Sequence, residues 1–257
     1  MPLRPLADAF AFSSLLAATI GVALSSVASL ALGAPRPLLW ALLAGAGTFI
    51  IYNLDRLRDT ARDHPRSPER TAFVTQHRRV LSLAVAIVAI GFGVMLLESP
   101  PSVIGLCLGI GLVGLLHRRI KGLAILKTIY VSLAWVVSCV GMPWLAADRP
   151  SSGPWIAAIV MPILAANLVA SNLRDDENQI LRGPPELPLW CARGLVLLAL
   201  VACLLAPARL TPIGWIALAE GLALLGFRKG ERYGLLVIDG ALLAGCLAST
   251  IHFAARG

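Results

Sequence analysis

Long apolar runs, broken by short polar clusters, make up most of the chain. In order they fall at 9–33, 37–54, 79–98, 102–116, 124–147, 154–171, 188–206, 211–227 and 233–254. About 20 predominantly apolar residues cross a bilayer as an α-helix, because lipid offers the backbone no hydrogen-bond partner and a helix satisfies it internally. The pattern therefore predicts about nine transmembrane helices, several near the lower length limit. The connections at 33–36, 99–101, 148–153 and 207–210 are short and punctuated by Pro and Gly, as tight turns require. The connections after the second and sixth runs are longer and hold most of the acidic residues.

Charge supports the same count. With nine spans, the N-terminus and the connections after spans two, four, six and eight share one side. Of the 22 Lys and Arg residues, only Arg36, Arg149, Arg209 and Arg256 fall on the other side, leaving 18 on the first. Basic residues gather in cytoplasmic loops, so the N-terminus is expected in the cytoplasm and the C-terminus outside. The chain is 58% hydrophobic and 14% charged, with mean hydropathy +0.80. A soluble domain is nearer a quarter charged. The expectation is an all-α integral membrane protein of a bacterial or archaeal-type inner membrane, one transmembrane domain over 1–257. The net charge of +8 is accounted for by this asymmetry and does not imply nucleic acid. Cys107, Cys139, Cys191, Cys203 and Cys246 lie in or beside apolar runs without ligand spacing, and read as small packing residues. The first run is too long for the apolar core of a signal peptide and has further spans behind it, so no cleavable leader is expected.

Two polar clusters carry the candidate chemistry. The first, 52–63, comes directly after the second run. Asp55, Asp59 and Asp63 recur at every fourth position, which on a continuing helix stacks them in one column. Carboxylates in a column repel each other unless a cation lies between them, and oxygen-only ligands suit a hard ion such as Mg²⁺. Arg56, Arg58 and Arg62 fall on other faces, placed to hold an anion. A charged helix end paired with itself and with lipid headgroups is the simpler alternative. The second cluster, 167–179, ends the sixth run. Asn167, Asn172 and Arg174 begin inside the apolar stretch, where polar groups are expensive and face a cavity or partner helix. Asp175 and Gln179 again share a face. Both clusters lie on the expected cytoplasmic side.

Two Asp-rich motifs after spans two and six of a nine-span bundle resemble the UbiA superfamily of intramembrane prenyltransferases. The first motif of that family is commonly Asn-Asp-x-x-Asp-x-x-x-Asp. Asp59 and Asp63 match its last two aspartates, with Asp55 at the Asn position and Arg56 in place of the first Asp. In the alternative register Asn53 is the motif Asn, and a helical irregularity shifts the residues after it. Residues 66–70, Arg-Ser-Pro-Glu-Arg, are similar to the segment that often comes after this motif. The second motif often reads Asn-x-Arg-Asp-x-Glu-x-Asp in quinone-pathway members. Asn172, Arg174, Asp175 and Glu177 match it, and Gln179 replaces the final Asp.

The resemblance implies a UbiA-like bundle that binds a polyprenyl diphosphate through Mg²⁺ and transfers the isoprenoid to a hydrophobic acceptor among membrane lipids. It makes Asp55, Asp59, Asp63, Asp175 and Gln179 the metal-binding set, and Asp55, Asp59, Asp63, Asp175 and Lys127 the catalytic set. Asn53, Arg56, Lys121, Asn172, Arg174 and Tyr130 would bind substrate. The chemistry agrees with these residue types: a departing diphosphate needs positive charge where negative charge develops, and Lys or Arg suits its free oxygens. Arg58, Arg118 and Arg119 are further candidates for that contact. Tyr130 and Trp135 are placed to pack the core, or to line a tail cavity where their π faces stabilise a cation. The alternative is a non-catalytic scaffold or lipid-diphosphate-binding protein on the same fold, since Arg56 and Gln179 each stand where the family has an acid.

Other polar residues lie within spans. Glu220 and Asp239 are ionisable groups at depth, candidates for orienting an acceptor or taking its proton, or for bonding between helices. Trp40, Trp144, Trp155 and Trp215 fall near extracytoplasmic ends and read as an aromatic belt. Gly91, Gly93, Gly105, Gly109 and Gly111 read as close packing or cavity wall, since no strand precedes them as a phosphate loop needs. A transporter is disfavoured, because no inverted repeat or broken midplane helix is evident.

Overall fold

A computed structural model describes residues 3–60, 64–65, 67–120, 124–174, 186–230 and 232–256, with side chains for 6–60, 64–65, 67–114, 127–173, 186–230 and 232–256. The described residues are helical, without strands. The helices are α1 Leu3–Phe12, α2 Leu15–Leu32, α3 Pro37–Arg58, α4 Pro68–Gln76, α5 Arg78–Leu97, α6 Pro101–Ile120, α7 Ala124–Val136, α8 Met142–Ala146, α9 Gly153–Arg174, α10 Leu187–Leu205, α11 Gly214–Leu225 and α12 Asp239–Ala254. A π-helical turn, Val137–Gly141, joins α7 to α8 into one span, and another, Tyr233–Ile238, leads into α12. A 3₁₀ turn, Ala208–Ile213, leads into α11.

Eight of these segments are long and apolar enough to cross a membrane. The remaining expected span is α6, a 20-residue helix apolar over Pro101–Gly114. Hydrogen bonds sort the span ends into two sets. At one end Asn53 meets Ser13, Lys127 meets Asn172, and Arg193 meets Leu224. At the other Arg36 meets Glu98, Ser249 meets Pro212, and Trp215 meets His252. The chain therefore alternates direction as the pattern predicts.

The first expected span is two helices. Ser14 takes a left-handed conformation (φ 66°) between α1 and α2, at a cost of about 1–2 kcal/mol for an L-residue. The carbonyls left at the end of α1 are met from α3: Asn53 Nδ2 donates to Ser13 O at 3.1 Å and an Arg56 N–H to Phe12 O at 2.8 Å. The second span also differs. It runs past 54 to Arg58, with Asp59 as C-cap (φ −108°), its N–H still bonded to Asp55 O, so Asp55 lies in the last turn and Asp59 just past it; Asp63 lies outside the described residues.

The spans form a ring. α2 packs on α3, α3 on α5, and α9 on α7 and α10. Then α10 packs on α11, α11 on α12, and α12 closes on α2. Small residues permit the closest approaches, as expected where van der Waals packing drives association. A Cβ on Gly45 would overlap Val22, and one on Gly245 would lie 2.6 Å from Ile216 Cα. One core cluster runs through the bundle, with Leu24 and Val27 of α2, Leu43 of α3, Ile159 and Ile163 of α9, Ile216 of α11 and Leu242 of α12. Leu83, Ile87 and Ile90 of α5 and Leu197 and Leu204 of α10 point outward, as lipid-facing residues do. Trp40 is not part of a belt: it is buried, its Nε1 donating to Pro35 O. Trp155 and Trp215 are exposed as expected. No atom lies within 4 Å of a Cβ placed on Gly91, Gly93, Gly105 or Gly109, so these four do not mark close packing. All five cysteines are free.

Candidate functional site

A cavity of about 530 Å³ lies inside the ring. Its walls come from α2, α3, α5, α6, the α7–α8 span, α9 and the last span. Its mouth lies at the end where α3 stops and α7 begins, and is charged: Asp55 and Arg56 from α3, Arg70 from α4 and Lys127 from α7. Its depth is apolar, with Leu16, Ile20, Leu43 and Phe92 among the lining side chains.

The mouth is built by local rules. α3 carries its charged residues, Asp55, Arg56 and Arg58, only in its last turn, so they emerge where the apolar span ends. α4 begins at Pro68, a residue suited to a first helical turn. It lies across the charged end because the Phe73 ring packs on that of Phe12, centroids 6.0 Å apart, while Val74 packs with Leu57 and Leu81. Arg70 is thereby brought to the mouth, with one N–H on Ser67 Oγ at 2.9 Å. Arg232, at the start of the last span, bonds Asp8 of α1 at 3.1 Å and Glu69 of α4 at 2.7 Å, holding all three segments together.

The second cluster reaches the same cavity. Asn172, in the last turn of α9, accepts from Lys127 Nζ at 3.4 Å and donates to Thr128 Oγ1 at 3.0 Å. Deeper, Trp135 Nε1 donates to Tyr52 Oη at 3.1 Å with the rings edge-on. Asn167 Nδ2 donates to Asp239 Oδ1 at 3.1 Å. Tyr52, Tyr130, Trp135, Asn167 and Asp239 all line the cavity.

Asp55, Arg56, Lys127, Tyr130 and Asn172 are therefore brought together around one cavity. Asp59 is buried beside α3's end but does not line the cavity. Asn53 is fully buried behind the wall, bonded to Ser13 and Phe49 carbonyls, so it holds backbone instead of facing a ligand. Asp63, Lys121, Asp175 and Gln179 lie outside the described residues, as does the Arg174 side chain; its backbone ends α9. Arg70 and Tyr52 do not stand out in the sequence. Arg70 stands four residues after Arg66 in the segment already noted, which was the available signal. Tyr52 stands within the first cluster but carries no charge.

Among the described residues no three His, Cys, Asp or Glu side chains are grouped to hold a metal ion. A Mg²⁺ site does not require such a cage: the ion is commonly held by one or two carboxylates together with substrate phosphates. Asp55 at a cation-lined mouth is a donor of the right chemistry for that arrangement.

No protein-family model matches the sequence, and no curated protein matches it. A solved structure does match: that of digeranylgeranylglyceryl phosphate synthase, aligned over 97% of this chain and 99% of its own, with TM-score 0.56 and 14% identity. At this identity the likeness is one of fold, and the chain has the all-helical fold of a membrane prenyltransferase.

Proposed function

We propose that the protein transfers an isoprenoid chain from a polyprenyl diphosphate to a lipophilic acceptor, in a Mg²⁺-dependent reaction at a site opening to the cytoplasm. One observation carries the reading. A single cavity joins an apolar depth to a mouth where the ends of both motif-bearing helices, α3 and α9, meet Lys127 and Arg70. An amphiphile with a long apolar tail and a diphosphate head matches that division. The shared fold with a membrane prenyltransferase supports it.

Each residue has a role in this reading. Lys127, tethered to Asn172, and Arg70, tethered to Ser67, present N–H donors to the diphosphate oxygens. Arg56 adds positive charge at the mouth while anchored to Phe12 O. Asp55 would hold Mg²⁺; Asp63, Asp175 and Gln179, outside the described residues, are the further candidates, whereas Asp59 does not line the cavity. The ion, when bound, neutralises charge on the leaving diphosphate. Tyr52, Tyr130 and Trp135 offer aromatic faces to the allylic carbon as it becomes cationic. The packed apolar walls keep water from that carbon.

The test is binding of a non-hydrolysable geranylgeranyl diphosphate analogue to purified protein, with and without Mg²⁺, for the parent and for Asp55→Ala. Binding that depends on both Mg²⁺ and Asp55 is the expected result. Tight binding without metal indicates a basic lipid-phosphate site instead, and no binding across several chain lengths removes the reading. A second reading, diphosphate binding without turnover, is favoured by Arg56, which stands at an expected acid and bonds the Phe12 carbonyl. Metal-dependent analogue binding, with no diphosphate release from geranylgeranyl diphosphate itself, selects it.

A further inference from the structure

The mouth does not account for the polar group one layer down. Asp239 lies six steps into the Tyr233–Ala254 span, Asn167 seven steps from the end of α9, and Glu220 five from the end of α11. At 1.5 Å per residue all three sit about 8–10 Å inside the bundle. Asp239 and Asn167 face the cavity, bonded to each other at 3.1 Å. Glu220 stands behind them, facing both. It is 0% exposed. The π-helical turn Tyr233–Ile238 ends at Asp239, and such turns inside helices recur at functional sites.

Depth gives this group its meaning. The reacting carbon of a prenyl diphosphate is bonded directly to the head group, so with the head at the mouth that carbon lies just below, at the level of Asp239. Tyr52 of α3 lines the same cavity. The other described ionisable side chains around the same cavity are Asp55, Arg56, Arg70, Cys107, Lys127 and Tyr130, with Glu220 behind. Among the described lining residues, the cationic ones come from the mouth. A group presented to an acceptor here is therefore a hydrogen-bond acceptor, Asp239, whose orientation Asn167 sets.

We propose that Asp239, oriented by Asn167 and backed by Glu220, receives a hydrogen bond from a hydroxyl of the lipophilic acceptor and takes its proton as the isoprenoid bond forms. This rests on the prenyl-transfer reading. A lone pair on the acceptor oxygen forms the new bond to the isoprenoid C1. The C1–O bond breaks with its electron pair leaving on the diphosphate. The O–H pair returns to the acceptor oxygen as its proton moves to the Asp239 carboxylate. The acceptor class is thus a hydroxyl-bearing apolar molecule whose hydroxyl reaches below the charged mouth.

The test needs no known acceptor. Dicyclohexylcarbodiimide, an uncharged apolar reagent, converts protonated carboxyl groups within membranes to N-acylureas. The full chain in lipid nanodiscs is treated across a pH series, and the peptide containing Asp239 is read by mass spectrometry, with Asp239→Asn as the blank. Labelling of Asp239 that declines as pH rises is expected. A long-chain phenol, 4-nonylphenol, should slow it about fivefold, the factor one hydrogen bond supplies, while its methyl ether should not. Asn167→Leu should abolish the difference between phenol and ether. No labelling of Asp239 at any pH, or equal protection by phenol and ether, overturns the proposal. Magnesium-dependent binding of the geranylgeranyl diphosphate analogue is measured on the same parent preparation. Its failure removes the prenyl-transfer reading, whereas the labelling result bears on Asp239 alone.

Discussion

Lys127 and Asn172 meet at the mouth of the cavity, Nζ to Oδ1 at 3.4 Å, joining the first turn of α7 to the last turn of α9. Asn172 is itself held by donating to Thr128 Oγ1. A flexible four-carbon ammonium is thereby kept at the cavity edge instead of extending into solvent. A side chain held in place loses less entropy when a diphosphate arrives.

Lys127→Ala should therefore weaken Mg²⁺-dependent binding of the geranylgeranyl diphosphate analogue by about ten- to a hundredfold, the range for one charge-assisted hydrogen bond. Asn172→Ala leaves the ammonium but not its tether, and should cost less. Isothermal titration of both variants checks the order; equal losses would argue against tethering.

Asn53 is a fold anchor. Removing it leaves Ser13 O without that donor at a strained turn. Asn53→Ala should destabilise the protein by about 1–3 kcal/mol, the cost of an unmet buried polar group. Thermal unfolding in detergent should show the fall in Tm. An unchanged Tm would mean that the break after α1 is held elsewhere.

Gly245 allows α12 to lie directly on α11. Gly245→Val pushes a side chain against the Ile216 backbone, which has no rotamer by which to yield. A loss of about 1–3 kcal/mol is expected, whereas the same change at Gly91, where nothing stands within 4 Å, should leave Tm nearly unchanged. The pair is a direct comparison on one melting instrument.

Glu220 makes the opposite prediction in sign. Because its carboxyl is fully buried, Glu220→Leu should keep or raise Tm, as replacing buried ionisable groups by packed apolar ones often does. A drop comparable to that of Asn53→Ala would show that the carboxyl is stabilising after all.

The membrane class and the helices were legible in the chain because each is a local matter. An apolar run of spanning length has one way to satisfy its backbone in lipid, and the distribution of Lys and Arg orders the spans. The polar clusters were legible because polar residues at the end of an apolar run are costly and stand out. What each does was not. Asn53 and Arg56 stand within one turn of each other on α3, yet Asn53 turns behind the wall to Ser13 and Arg56 reaches both Phe12 O and the cavity. Sequence distance along α3 does not separate those directions.

Composition, run lengths and charge asymmetry thus determined that this is a many-span helical bundle with its polar chemistry at one end. Only the tertiary structure decided that α3 stops at Arg58, that the first span breaks at Ser14, and that Asn167, Glu220 and Asp239 share one level. The physical reason is the range of the interactions. Hydrophobic periodicity and backbone satisfaction act within a helix, and so are written in consecutive residues. The carbonyls freed at Ser13 and the pairing of Asn167 with Asp239 are met by partners 40 and 72 residues away, and those distances close only when the ring does.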